Sequence, residues 1–242
     1  MKENRYDDEV FFAKYGEMLR SKNGLKGAGE WPELKKLLPD FHGKRVLDLG
    51  CGYGWHCKYA AAHGAAYILG TDISHKMLEI AREKNEDEKI KYECKAMEDL
   101  DFEEGSFDVV ISSLAFHYVK DFAPLVQKIY KWLKKGGDFV FSVEHPVFTA
   151  YGSQDWYYDS QGNILHFPVD NYYYEGKRDA VFLGERVTKY HRTLTTYLNT
   201  LLDNGFTITH VVEPKPPQEL MDIEGMKDEM RRPMMLLVSA KK

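Results

Sequence analysis

The sequence predicts an α/β fold, a doubly wound and mostly parallel sheet with helices on both faces. Three observations predict it. Short apolar runs alternate with helical stretches at a regular pitch between residues 44 and 143. One run, Phe107–Ser112, has the apolar centre Val109-Val110-Ile111 expected of a strand buried on both faces. Another, Arg45–Leu49, leads straight into the turn Gly50-Cys51-Gly52-Tyr53-Gly54, which lets a ligand lie against bare main chain at a strand end.

The N-terminal stretch, residues 1–40, reads as a helical cap. Val10, Phe11, Ala13, Met18 and Leu19 give residues 9–20 the pattern of a short amphipathic helix. Asn23 to Gly29 is a glycine-rich loop. Trp31-Pro32 opens a second helix, with proline in the tolerated first turn, and Pro39 closes it. This cap is expected over the carboxyl end of the first core strand.

The core spans residues 41–144. Strand Arg45–Leu49 is followed by a helix over Trp55–His63 and a strand over Tyr67–Asp72. Ser74 caps a helix through about Lys84, with Ile73 and Leu78 placed as a hydrophobic staple. Strands Ile90–Cys94 and Phe107–Ser112 come next. A helix over Phe122–Leu133 ends at Gly136-Gly137, and Asp138–Val143 is the fifth strand. The rhythm breaks over residues 145–190, which are rich in Tyr, Trp, Gly and Asp and show no clean period. Residues 191–242 hold a helix over Thr193–Leu202 and strand candidates Phe206–Val212 and Met234–Ala240. No internal repeat interrupts the chain, which reads as one domain, 1–242.

Composition narrows the function. The chain has 242 residues, 43% hydrophobic and 29% charged, ordinary for a globular protein. A formal charge of −5 gives a polyanion no general attraction, so nucleic acid is not the expected partner. The polar start, Met1 to Asp8, does not read as a secretory signal, and no apolar run is of membrane-spanning length. Cys51, Cys57 and Cys94 suit a reducing cytoplasm better than a disulfide framework. Cys51, His56 and Cys57 have no second ligand pair at zinc spacing, so no metal is expected.

The glycine turn points to an adenosine-type ligand. Gly50 clears the strand end, Gly52 permits a positive φ, and Gly54 lets the next helix approach the sheet. A dinucleotide fingerprint needs its third glycine at position 55, which is Trp55. The spacing is therefore G-x-G-x-G, with no pyrophosphate to cradle. Asp72 lies 20 residues beyond Gly52, at the tip of the second strand, where a carboxylate reaches both hydroxyls of a ribose. Each feature alone also fits a plain αβ turn or a charge at a helix start. Asp48 before the turn strengthens their joint reading.

Val46 to Gly54 resembles the first motif of the class I S-adenosylmethionine-dependent methyltransferases. Gly70-Thr71-Asp72-Ile73-Ser74, Ala96-Met97-Glu98-Asp99, Phe107-Asp108-Val109-Val110 and Leu133-Lys134-Lys135-Gly136-Gly137 follow in the family's order. The likeness covers roughly residues 44–143 and is strongest to members acting on small molecules. It implies a seven-stranded, Rossmann-like sheet whose last strand is antiparallel, and S-adenosylmethionine as cofactor. It also implies a site for each part of that cofactor. The main chain at Gly50, Cys51 and Gly52 would face its methionine part, with Gly54 completing the cofactor-binding turn, Asp72 would hold its ribose, Ile73 would pack on its adenine and Met97-Glu98 would lie by the adenine rim. Ser112 or Ser113 would meet the methionyl amino group through a main-chain carbonyl.

Methyl transfer needs alignment and exclusion of water more than strong catalytic groups. His117, after the fourth strand, and His145, after the fifth, are the candidate catalytic residues, with Glu144 beside the latter. His117 also reads as a loop-orienting histidine, and Pro146 as the chain simply leaving the sheet. His191-Arg192 is a basic pair suited to an acidic group on the acceptor or to a solvated helix entrance. Tyr15 could close over the cofactor from the first helix, though core packing is the stronger expectation. The aromatics of 145–190 (Tyr151, Trp156, Tyr157, Tyr158, Phe167, Tyr172, Tyr173, Tyr174 and Tyr190) suit a lid over an acceptor pocket, or else a small β extension packed by its own aromatics that could serve as a dimer surface. The expected activity is methyl transfer to oxygen or nitrogen of a small organic acceptor by a cytoplasmic monomer or homodimer. A nicotinamide-dependent oxidoreductase and a non-catalytic cofactor sensor or scaffold are the alternatives.

Overall fold

The computed structural model describes residues 4–242. Seven strands form one sheet: β1 Arg45–Leu49, β2 Tyr67–Asp72, β3 Ile90–Cys94, β4 Phe107–Ser113, β5 Leu133–Glu144, β6 Thr207–Val212 and β7 Met235–Lys241. Their order is β6-β7-β5-β4-β1-β2-β3. Strands β1 to β5 pair in parallel, and β7 inserts antiparallel between β5 and β6. The order reverses at β1, which pairs with β2 on one side and β4 on the other. Ligands bind in open α/β sheets at the crevice such a reversal leaves beyond the strand ends.

Eight α-helices complete the described chain: α1 Glu9–Gly16, α2 Leu19–Asn23, α3 Trp31–Leu37, α4 Trp55–Ala62, α5 His75–Lys84, α6 Phe122–Trp132, α7 Pro146–Thr149 and α8 Leu194–Asp203. On one face, α6 buries Phe122, Leu125, Val126, Ile129 and Trp132 against Phe116, Phe139 and Phe141, joined by Tyr197 and Leu201 of α8. On the other, Cys57 and Ala60 of α4 and Leu78 of α5 pack on Val46, Ile68 and Ile111. Small side chains on α4 let that helix lie close to the sheet. Leu34 of α3 closes on Val140 and Leu237. Each fully buried Leu or Phe contributes about 1.5–3 kcal/mol.

The caps follow the local chemistry. Ser74 Oγ accepts from the Met77 amide at 3.1 Å, and Thr193 Oγ1 from the Thr196 amide at 3.1 Å. Pro32 sits in the first turn of α3.

Some boundaries differ from the sequence expectation. The helix expected over 9–20 is two helices, parted at Glu17-Met18. Gly24–Gly27 is a turn of 3-10 helix inside the expected loop. Gly136-Gly137 does not end α6, which stops at Trp132. The chain is already extended at Leu133, and Gly136, at φ +77°, lets its amide reach Lys242 O at 2.8 Å. Residues 145–190 hold α7 and two antiparallel hairpins, Tyr157–Tyr158 with Ile164–His166 and Gly176–Phe182 with Glu185–His191. Among the described residues, no helix is long and apolar enough to cross a membrane.

Candidate active site

A cavity of about 950 Å³ opens over the carboxyl ends of β1, β2, β4 and β5. Its floor is the glycine turn and the strand tips. Its roof is the N-terminal segment on one side and the hairpin 176–191 on the other. Of the residues singled out in the sequence, Gly50, Gly52, Asp72, Ile73, Met97, Glu98 and His117 line it. Cys51, Gly54, Ser112 and His145 do not.

The turn is built from inside. Gly50 and Cys51 amides both donate to Thr71 O, at 2.8 and 2.9 Å. The Gly52 amide donates to Asp72 Oδ2 at 2.9 Å, and the Ser74 amide to Asp72 Oδ1 at 2.9 Å. Asp72 therefore locks the turn to the start of α5 and presents its remaining lone pairs to the cavity. Burial raises its pKa above the usual carboxylate value, against these amide bonds.

Each glycine is required, though two of the reasons differ from expectation. Leu114 takes φ +52° at the end of β4 and drives Ala115 toward the turn. A Cβ on Gly50, at φ +71°, would stand 2.5 Å from Ala115 Cβ, so neighbouring chain, not only a ligand, excludes it. A Cβ on Gly54 would meet the Tyr92 hydroxyl at 2.3 Å. Gly52, at φ +52°, faces open space where a ligand can approach bare main chain.

The side chain of Cys51 lies beneath the turn with Cys57, both against Gly70. Cys57 Sγ donates to Asp48 Oδ2 at 3.3 Å, while Asp48 Oδ1 has no partner. Burial raises the Asp48 pKa to about 7. Ser112 Oγ turns to Leu49 O at 2.8 Å, and the next residue, Ser113, reaches the cavity by strand alternation. Trp55, in the third-glycine position, puts its indole 3.1 Å from where a Gly24 Cβ would stand, wedging turn against cap.

Of the two candidate histidines, only His117 faces the cavity. Its Nδ1 accepts from the Glu144 amide at 3.4 Å, which puts the ring proton on Nε2. Burial first, then the cations Lys189, Arg192 and Arg20, lowers its pKa to about 4 against the pull of Glu144. It is neutral at pH 7 and a weak base. His145 is instead the cap of α7: its Nδ1 accepts from the Val147 amide at 3.0 Å, and its Nε2 lies 2.9 Å from Glu213 Oε1. The length of that last contact is favourable, but its angle is too poor for a full hydrogen bond.

Glu144 does line the cavity. Its Oε1 accepts from Lys189 at 2.6 Å and its Oε2 from Gln154 at 2.7 Å, and Lys189 also reaches Gln154 Oε1 at 2.7 Å. Burial opposes its ionisation, but the Lys189 ammonium holds the carboxyl below its usual range.

The pair His191-Arg192 does not reach the cavity. His191 is fixed between Thr149 Oγ1 (2.7 Å) and Tyr172 O (2.8 Å). Arg192 donates to the carbonyls of Phe116, Val119, Lys120 and Tyr190, tying α8 to the turn after β4. Among the aromatics singled out in 145–190, Tyr190 lines the cavity and the others do not. Tyr173 and Tyr174 are the most exposed of them, at 87% and 75%.

Tyr6, Tyr118 and Arg20 lie at the cavity without a signal in the sequence pattern; Tyr15 joins them, not buried away in the core. The Tyr6 and Tyr118 hydroxyls meet at 3.1 Å. Arg20 Nη2 contacts both oxygens of buried Glu30 at 2.6 Å. Among the described residues, no cluster of three His, Cys, Asp or Glu suits a metal ion.

Residues 47–141 match the family described as a methyltransferase domain. A crystal structure from Listeria monocytogenes assigned to the S-adenosylmethionine-dependent methyltransferases is 59% identical. It covers 90% of this chain and 99% of its own, with a TM-score of 0.87. Another, an S-adenosylmethionine-dependent methyltransferase from Mesorhizobium loti, is 44% identical over 90% of this chain and 100% of its own, with a TM-score of 0.83. The chain belongs to the S-adenosylmethionine-dependent methyltransferases. A shorter match, 41% identical over 107 residues, is to a ubiquinone biosynthesis O-methyltransferase of Neisseria meningitidis, covering 43% of this methyltransferase and 45% of that one. S-adenosylmethionine is its cofactor, and the residues fit it: Gly52 leaves main chain uncovered and Asp72, half-buried, turns its remaining lone pairs to the same space. Bound there, the cofactor supplies an activated methyl group.

Proposed function

We propose that this enzyme transfers the methyl group to an oxygen or nitrogen of a small organic molecule, with Gly50, Gly52, Asp72, Ile73, Met97 and Glu98 holding the cofactor. The supporting observation is the roofed cavity. Its volume of about 950 Å³ is at the upper end of the roughly 300–1,000 Å³ of small-molecule sites, room for cofactor and acceptor together. The N-terminal segment and the hairpin enclose it, which suits a metabolite better than a protein or nucleic-acid surface. Such closure also excludes water from the sulfonium.

The test is transfer of labelled methyl from S-adenosylmethionine into a cell extract, split into small-molecule and macromolecular fractions. Label in the small-molecule fraction is expected. Label confined to protein or nucleic acid would overturn the reading.

A further inference from the structure

We propose that the methyl acceptor is a carboxylic acid, held as its anion by neutral hydrogen-bond donors above β4 and β5 and released as a methyl ester. This rests on the small-molecule reading above and narrows it to one class.

The acceptor half of the cavity is rich in donors and poor in bases. His117 presents Nε2–H, because its Nδ1 is taken by the Glu144 amide. The Tyr6–Tyr118 pair shares one proton between its two oxygens and has a second to offer. Tyr15 and Tyr190 line the same cavity. A carboxylate, with about four lone-pair sites, matches such a set of donors.

No group there is placed to take a proton. Both oxygens of Glu144 are engaged by Lys189 and Gln154. Both oxygens of Asp72 hold main-chain amides. The basic nitrogen of His117 faces an amide. Glu98 and Asp99, in the turn after β3, and Asp121, just before α6, line the opposite rim. An alcohol or an ammonium must lose a proton to become a nucleophile, and a carboxylate need not.

The buried charges agree. Arg20 is paired with Glu30 and Lys189 with Glu144. Arg192, 6% exposed, is held by carbonyls, and no carboxylate among the described residues forms an ion pair with it. Arg192 does not line the cavity, but its positive field reaches His117, which does.

The step balances without a base. A carboxylate oxygen donates a lone pair to the methyl carbon, the methyl–sulfur bond breaks, and its electron pair stays on sulfur. An anion and a sulfonium become a neutral ester and a neutral thioether, and no proton moves. Loss of opposite charges is favoured in a dry cavity.

The experiment treats the labelled small-molecule products with alkali. Esters release their label as volatile methanol, and that release is expected. Alkali-stable label in small molecules, as from ethers or amines, overturns this inference but leaves the small-molecule reading intact. Label in macromolecules alone, or none, sinks both. With the labelled acceptor in hand, kcat should be flat between pH 6 and 9; a limb from a protein base in that range counts against the proposal. His117→Ala should raise the acceptor KM at least tenfold with S-adenosylhomocysteine affinity unchanged. His117→Gln, which keeps an amide donor, should recover part of that loss. An unchanged KM in the alanine variant removes His117 from the donor set.

Discussion

Asp72 bonds two main-chain amides across the glycine turn, so the side chain proposed to hold the ribose also sets the shape of the turn. Hydrogen bonds to a charged acceptor are worth about 1.5–3 kcal/mol each. Asp72→Asn keeps one acceptor and turns an N–H toward another N–H. S-adenosylhomocysteine affinity should fall at least tenfold, a loss of about 1.4 kcal/mol, by calorimetry. An unchanged Kd would show that the ribose is held elsewhere. Asp48 makes a different prediction. Its buried carboxyl titrates at about 7, so between about pH 4 and pH 7 the folded protein keeps a proton that the unfolded chain has lost. Stability from this group is therefore greatest at low pH and falls as pH rises toward 7, by a few kcal/mol. His56 and His117, both lowered to about 4 by burial, act in the opposite sense, losing stability as pH falls below about 6.5. Asp48→Asn isolates the first effect. Its melting temperature relative to the parent should improve between pH 5 and pH 8; a constant difference would mean that Asp48 is ionised throughout.

At the scale of elements, the insertion is pinned to the sheet by one polar knot. Glu144 ends β5, Gln154 follows α7 in the left-handed region at φ +58°, and Lys189 sits on the returning strand of the hairpin. Lys189→Met removes the cation and leaves Glu144 buried with an amide alone. Breaking a buried pair costs about 3–5 kcal/mol. The expected result is faster proteolysis within 145–190 with S-adenosylhomocysteine affinity near the parent value; resistance equal to the parent would mean that apolar packing alone holds the insertion. This knot was not legible in the sequence, because its three members are 10 and 35 residues apart along an aperiodic stretch. What could be read was local. The turn after β1, Asp72 and the Ser74 cap depend on contacts that strand pairing or a single helical turn fixes in advance. Gly136-Gly137 misled because the same pair that ends helices also bends a strand beside a chain terminus. His191-Arg192 misled because charge alone does not say whether carbonyls or solvent receive it. His117 reads in the sequence as a base of near-neutral pKa, and burial, a property of the folded chain, lowers that pKa to about 4.

At the scale of the whole molecule, the cavity exists only because two distant segments meet above the sheet. Asp7 accepts from Ser74 Oγ at 2.6 Å and from the Lys76 amide at 3.1 Å, so the N-terminal segment caps α5. Tyr6 reaches Tyr118 after β4. Phe11 packs edge-on to Phe182 of the hairpin, with ring centroids 5.9 Å apart. Phe11 is the single buried residue of α1 and belongs to none of the three core clusters that hold the sheet. The roof should therefore open as a unit of lower stability than the sheet. Phe11→Ala deletes that anchor, a change worth about 3–5 kcal/mol where a ring is fully buried. Amide exchange should then rise in residues 5–16 and 176–191 together, while β4 keeps the parent rate and S-adenosylhomocysteine dissociates faster. If exchange in β4 rises in step with the roof, α1 is continuous with the core, and closure over the cofactor is a fixed feature of the fold and not a separate equilibrium.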